Sequence, residues 1–109
     1  MNHSEIIVRI WHGRTKTEDA ETYRQFVIET GIKEYTSTPG NLGAQIWQQG
    51  ERDITDIWTV SWWKDIESIK AFAGEEIEKP KYYDEDKKYL LEFEPTVVHY
   101  KAFDFKNFK

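Results

Sequence analysis

The segment Ile54–Lys64 (ITDIWTVSWWK) contains three of the five tryptophans in this 109-residue chain, and it restricts the fold more than any other stretch. Read as a β-strand, its side chains alternate between two faces, and both faces are apolar. One face carries Ile54, Trp58, Val60 and Trp62; the other carries Ile57 and Trp63, with Thr55, Thr59 and Ser61 between them. A strand with one wet face alternates apolar with polar residues, so this strand is predicted to bury both. The helices of a small domain cover only one face, so the other must meet a partner subunit, a ligand cavity or both.

Length and composition favour a single domain over residues 1–109, with an ordered core from about 5 to 103. The chain has no cysteine, which excludes disulfides and thiolate metal ligands and suits a cytoplasmic protein. Its net charge of −5 argues against nucleic-acid binding, which requires a basic surface. No signal-peptide pattern and no long apolar run is present, so no membrane association is expected. Aromatic residues make up 16% of the chain and supply either core volume or the walls of an apolar pocket.

Periodicity and turn residues predict four strands and two main helices. The first helix begins at a cap formed by Thr15 or Thr17, and it ends at Gly31 or in the turn-rich run 36–41. The second helix begins at Asp65 and stops at Gly74. The segment Glu75–Glu92 is read as an ordered loop with a short helix near Asp84–Leu90. The predicted strands are Glu5–Arg14, Leu42–Gln49, Ile54–Lys64 and Glu94–Phe103.

The resulting order, β-α-β-β-α-β, is the ferredoxin-like split βαβ arrangement of the α+β class: a four-stranded antiparallel sheet with both helices on one face. The other sheet face is too apolar to remain in water. Pairing of two sheets face to face in a homodimer would cover it, which predicts a dimeric α+β barrel.

Strand alternation assigns candidate pocket residues to the sheet face away from the helices. The more uniformly apolar sets are placed on the helix side: Ile6, Val8 and Ile10 on the first strand, and Trp58, Val60 and Trp62 on the third. The mixed sets are predicted to line the pocket for a small apolar or aromatic molecule: Arg9, Trp11, Ile57, Thr59, Ser61 and Trp63. The charged segment Glu75–Tyr89 is predicted to cover the pocket mouth, fixed by Tyr82, Tyr83 and Tyr89.

Arg9 and His99 are the candidates for chemistry, because the predicted topology brings the first and last strands together. An arginine on a central strand is costly to bury unpaired, so it requires an anion, a carboxylate such as Asp56 or Glu94, or water. His99 has the pKa range of a general base, although a lone histidine is more often structural. His12 could share that role, but its parity places it on the other face.

Other sequence signatures are missing. No glycine-rich phosphate loop, nucleophile elbow or histidine-containing metal pair occurs, so neither a cofactor nor a metal is expected. RNA-recognition domains share this strand order, but Ile57–Lys64 lacks the basic, glycine-bearing pattern of their stacking strands.

Several ordered pieces resemble the antibiotic biosynthesis monooxygenase-like superfamily, the dimeric α+β barrel proteins. The similarity extends from about Ile7 to Phe103. The pieces that carry it are RIWHGRT at 9–15, PGNLG at 39–43, WKDIESIKAFAG at 63–74, Tyr82-Tyr83 with Asp86, and PTVVHY at 95–100.

The resemblance implies a homodimer with a pocket between each sheet and its helices or neighbouring loop. It also implies cofactor-free oxygenation of a small aromatic or polyketide-like substrate. One branch of the superfamily degrades haem with a strand-one asparagine, a tryptophan before the second helix and a histidine after it. Trp63 matches that tryptophan, but Arg9 or Trp11 replaces the asparagine, and 74–86 contains no histidine. The alternative function is a non-catalytic, dimeric small-molecule-binding or stress-related protein with the same fold.

Overall fold

Four antiparallel strands form one sheet in the order β2-β3-β1-β4 in the computed structural model, which describes residues 5–103. The two central strands pair continuously from Ile7 with Trp63 to Lys16 with Ile54. This order and the two helical regions on one face agree with the predicted α+β, ferredoxin-like fold. The strands are β1 Glu5–Lys16, β2 Asn41–Glu51, β3 Ile54–Trp63 and β4 Val98–Phe103.

The first helical region ends at Ser37, inside the turn-rich run 36–41 that was predicted to end it. A 3₁₀ turn, Thr17–Asp19, leads into α1 (Ala20–Val27), a π-helical segment (Ile28–Ile32) and α2 (Lys33–Ser37). No side chain caps the start of the 3₁₀ turn or of α1, so the predicted threonine caps are wrong. The helical backbone also continues through Gly31. Tyr35, which follows it, is buried against the sheet, and this burial stabilises the additional turn of helix.

The second helix, α3 (Ile66–Ala73), has the predicted boundaries. The Asp65 carboxylate accepts a hydrogen bond from the Ser68 backbone N–H at 2.9 Å, which satisfies a free donor of the first turn. Gly74 follows with φ 86°, a left-handed conformation that favours glycine and ends the helix. Among residues 5–103, no helix has both the length and the apolar character needed to cross a membrane.

The segment between α3 and β4 is ordered against the sheet. It contains the expected short helix, a 3₁₀ turn at Asp84–Lys88, and β4 begins at Val98 rather than at Glu94. The backbone N–H of Val97 bonds to the carbonyl of Glu78 at 2.8 Å, and that of Leu91 to Arg14 at 2.9 Å. The residues before β4 therefore contact the loop and the C-terminal end of β1 instead of extending the strand.

The two faces of the sheet are the reverse of the predicted assignment. The helices cover the face that carries the mixed sets, so Arg9, Trp11, Ile57, Thr59, Ser61 and Trp63 are all buried beneath them. The apolar even-numbered residues of β1 lie half-buried on the open face. Alternation along a strand shows which residues share a face, but it does not show which of two apolar faces the helices cover. The helices carry tyrosine hydroxyls, which can hydrogen-bond to the threonine and serine side chains of the mixed face. Tyr35, for example, exchanges a 3.1 Å hydrogen bond with Thr59.

Candidate functional site

A small cavity lies between the sheet, the π-helical segment and the loop that precedes β4. It has a volume of about 40 Å³, room for a few water molecules but not for an aromatic ring. The cavity is lined mainly by Arg9, Trp11, Thr59, the tyrosines 23, 35, 82 and 83, Thr30 and Gly31 of the π-helical segment, and Asp86. Its position between sheet and helices corresponds to the pocket that the family resemblance implied.

Five of the nine predicted site residues line this cavity, and four do not: His99, Ile57, Ser61 and Trp63. Ile57 and Trp63 are fully buried in the hydrophobic core on either side of it. The indole N–H of Trp63 donates to the Ser61 hydroxyl at 2.8 Å, so both polar groups are satisfied within the core. The structure therefore brings the predicted residues to one face of the sheet, and the cavity itself is lined by only part of the set.

Arg9 is 1% exposed, and its guanidinium forms part of the cavity wall. It donates hydrogen bonds to the backbone carbonyls of Ile77 and, at 3.1 Å, Lys79, and its carbon Cζ lies 5.5 Å from the ring centroid of Phe72. The expected carboxylate partners are wrong, because Asp56 and Glu94 both lie with His12 on the opposite face. Burial lowers the pKa of Arg9, although an arginine side chain stays charged at neutral pH.

His99 lies beside Arg9 on the helix-covered face, not on the open face as predicted. An Nη1 hydrogen of Arg9 points to Nε2 of His99 across 3.2 Å. Because a guanidinium only donates, Nε2 must accept, which makes the imidazole neutral with its proton on Nδ1. Burial, and then the charge of Arg9, lower the pKa of His99. The lone pair that a general base would use is thus occupied by Arg9 in this state.

Tyrosine hydroxyls join the loop to the rest of the domain. Tyr82 donates to the carbonyl of Glu94 at 2.8 Å and accepts from the indole N–H of Trp11 at 3.2 Å. Tyr83 donates to the Glu34 carboxylate, which also pairs with Lys81. These contacts agree with the prediction that tyrosines fix the loop over the cavity; its opening and closing stay a prediction.

Asp86 is a buried carboxylate in the cavity wall, 4% exposed, although it belongs to the charged segment Glu75–Tyr89. It accepts from the Tyr23 hydroxyl at 2.8 Å and from the Tyr83 backbone N–H at 2.6 Å. Burial raises the pKa of Asp86, and burial next to this carboxylate also raises the pKa of Tyr23. In the sequence, the only indication that Asp86 has a role was its place with Tyr82-Tyr83 in the motif that resembles the family.

The open face of the sheet carries a second concave region, a groove of about 420 Å³ lined mainly by Ile10, Trp47, Trp58, Val98 and Tyr100. His12 lies at its polar end, with Nε2 2.7 Å from Asp56 and Nδ1 hydrogen-bonded to Glu94. Burial lowers the pKa of His12, but the hydrogen bonds to Glu94 and Asp56 outweigh it, and the net shift is upward. The two carboxylates, one at each ring nitrogen, therefore favour the protonated form of His12.

Within residues 5–103, no group of three or more histidine and carboxylate side chains is arranged to hold a metal ion. Arg9 and the tyrosines are poor metal ligands, so the chemistry of this cavity is that of hydrogen bonding, positive charge and aromatic contact.

Several solved structures share this fold. One, "Putative antibiotic biosynthesis monooxygenase from Nitrosomonas europaea", matches with a TM-score of 0.62 and 15% identity over 94% of this chain and 92% of that one. The chain has the fold of the antibiotic biosynthesis monooxygenase-like proteins. A second, similarly named protein from Bacillus cereus matches with a TM-score of 0.56 and 12% identity over 97% of this chain and 98% of its own. The resemblance stated from the sequence motifs is confirmed at the level of the fold.

Comparisons of the sequence itself found no match, either to a protein-family model or to a curated protein. At these identities the structural similarity defines the architecture, and the chemistry must be argued from the cavity.

Proposed function

We propose that the protein is a cofactor-independent monooxygenase that acts on a small aromatic or polyketide-like substrate in the cavity beneath the helices. The observation that carries the proposal is the Arg9–His99 pair, a buried cation beside a neutral imidazole at the edge of an aromatic-walled cavity. Both structural neighbours are named as monooxygenases, which supports the same class of reaction.

The proposed reaction begins when His99 takes a proton from a substrate phenol or enol and Arg9 stabilises the resulting oxyanion. The electron-rich ring carbon then transfers an electron to O₂ and combines with the reduced oxygen, and the peroxide takes back the proton from His99 to give a hydroperoxide. Loss of water from the hydroperoxide leaves a carbonyl on that carbon. One oxygen atom enters the product, the other leaves as water, and the substrate supplies all the electrons.

The test is oxygen consumption with an enolisable tricyclic ketone such as anthrone, corrected for its spontaneous oxidation. We expect catalysis by the wild type, and His99→Ala should lower turnover by about 10²-fold. His12→Ala is the matched control, since His12 lies on the opposite face of the sheet, and its turnover should stay close to that of the wild type. Wild-type turnover no faster than the background, or equal turnover in both variants, would remove His99 from the mechanism.

A non-catalytic binding protein is the second candidate, and one observation favours it. Arg9 already occupies Nε2 of His99, so the imidazole can act as a base only after Arg9 has moved. Ligand binding without oxygen consumption would establish this alternative.

We also propose that the functional unit is a homodimer joined through the open face of the sheet. Tyr100 and Val98 on that face are 57% and 48% exposed, and they continue the apolar groove across β4. A stable interface of this kind buries roughly 2,000 Å² or more in total. In sedimentation at micromolar concentration the wild type should be a dimer, and Tyr100→Glu should dissociate it. Lys101→Glu, on the same strand but the opposite face, should remain dimeric. A folded wild-type monomer would contradict the proposal.

A further inference from the structure

Among residues 5–103, Arg9 is a buried cation without an anionic partner. In the described part of the chain, no carboxylate lies within ion-pairing distance of its guanidinium; the nearby Glu78 is exposed and contributes only a long-range attraction. Its acceptors are two neutral carbonyls and a neutral imidazole, the Tyr35 hydroxyl also lies beside it, and its Nε–H has no hydrogen-bond partner among the described residues. A desolvated guanidinium bonds more strongly to an oxyanion than to neutral acceptors. The site therefore holds unused affinity for a negative charge.

We infer that the ligand of this cavity is a planar aromatic compound that already carries an ionised oxygen, either a carboxylate or an acidic enol, and that this oxygen binds Arg9. The inference deepens the proposed function, on which it rests, by naming the charge of the substrate. A net charge of −5 keeps most anions away from the protein surface, so Arg9 supplies the selectivity within the cavity.

The same contact explains how a cavity of about 40 Å³ admits a ring. The guanidinium now holds the loop through the carbonyls of Ile77 and Lys79. A ligand oxyanion that takes over these donors removes the two bonds that tie Ile77 and Lys79 of the loop to Arg9, and it also frees Nε2 of His99. Binding, opening of the loop and exposure of the base then depend on one exchange of acceptors at Arg9.

The test is a set of probes of one shape and different charge. Binding of 1-naphthoate, of 2-hydroxy-1,4-naphthoquinone and of the neutral 1-naphthamide is measured by calorimetry in the absence of oxygen. We expect at least one of the two anions to bind about tenfold or more tightly than the amide. A preference for naphthoate identifies a carboxylate ligand, and a preference for the hydroxyquinone identifies an acidic enol.

Arg9→Gln should reduce that preference to less than about twofold, since the glutamine amide has no charge to offer. Arg14→Gln is the matched control, because Arg14 lies on the same strand with its charge directed to Asp56 on the open face. Its preference for the anion should equal that of the wild type.

A second readout needs no variant and so does not depend on the folding of Arg9→Gln. The preferred anion should accelerate trypsin cleavage after Lys81 in the native wild type, and the amide should not. Equal binding of all three probes, no binding of either anion at millimolar concentration, or an anion preference that survives in Arg9→Gln would overturn the inference. Failure of the oxygenase alone would leave these binding results unchanged, so the two proposals are separable.

Discussion

The hydrogen bond from Tyr23 to Asp86 offers the sharpest test of how the loop is held to the first helix. Tyr23 is 1% exposed and Asp86 is 4% exposed, so bulk solvent has little access to the hydrogen bond between them. Tyr23→Phe keeps the ring, which packs on Phe26 and Tyr89 with centroids 6.0 and 5.4 Å away, and removes only the hydroxyl. The change therefore isolates one hydrogen bond to a charged acceptor.

Loss of such a bond costs about 1.5–3 kcal/mol, against about 0.5–1.5 kcal/mol for a bond to a neutral acceptor. For a domain of this size, about 4 °C of melting temperature corresponds to 1 kcal/mol, which predicts a decrease of about 6–12 °C for Tyr23→Phe. In an Asp86→Asn background the same substitution should cost only the smaller amount. A double-mutant cycle from urea unfolding should accordingly give a coupling free energy of about 1 kcal/mol or more.

The pH dependence provides an independent check. Burial raises the pKa of Asp86 above its ordinary value of 3.8, while the bonds from Tyr83 and Tyr23 lower it. A raised carboxyl pKa means that the folded state binds the proton more tightly, so the stability contribution of Asp86 falls as pH rises from 3.8 through the folded pKa. Tyr23→Phe removes a lowering contribution and raises that pKa further. The penalty of the substitution should therefore be larger at pH 7 than at pH 4. A penalty below about 0.5 kcal/mol, or one that is larger at pH 4, would refute the reasoning.

Two further outcomes are expected from the structure. His12 has a raised pKa, so the stability that it contributes with its two carboxylate partners should be complete below about pH 6.5 and should decline as pH rises through the raised pKa. His12→Gln should abolish this pH-dependent part of the melting temperature, measured between about pH 6 and 9. Gly13→Ala should destabilise the domain by about 1–3 kcal/mol in urea unfolding, because the new Cβ would lie 2.3 Å from the Trp11 ring. Gly31→Ala, whose Cβ would meet nothing within 4 Å, should be neutral or stabilising. Equal effects of the two alanines would contradict the assigned packing.

The sequence alone determined the order of the elements and most of their boundaries. Local chemistry is sufficient for these features: Asp65 caps α3, Gly74 ends it, and period-two alternation marks the strands. The excess of tryptophan in Ile54–Trp63 also predicted that neither face of β3 suits free exposure to water; for the open face this stays a prediction. These signals lie within a few residues of the structure they specify, which is why they can be read without tertiary contacts.

Only the tertiary structure decided which face of the sheet the helices cover, and with it the partners of Arg9. Because both faces of the sheet are similarly apolar, the pattern along β1 and β3 allows the helices to lie on either one. The choice depends on how Tyr23 and Tyr35 of the helices fit the face that carries threonine and serine side chains. The burial of Asp86 likewise depends on a contact with Tyr23 across 63 residues of sequence, which no local pattern encodes. The neutral state of His99 also depends on the tertiary structure. Strand pairing places His99 opposite Arg9, and burial beneath the helices together with the charge of Arg9 lowers the pKa of His99.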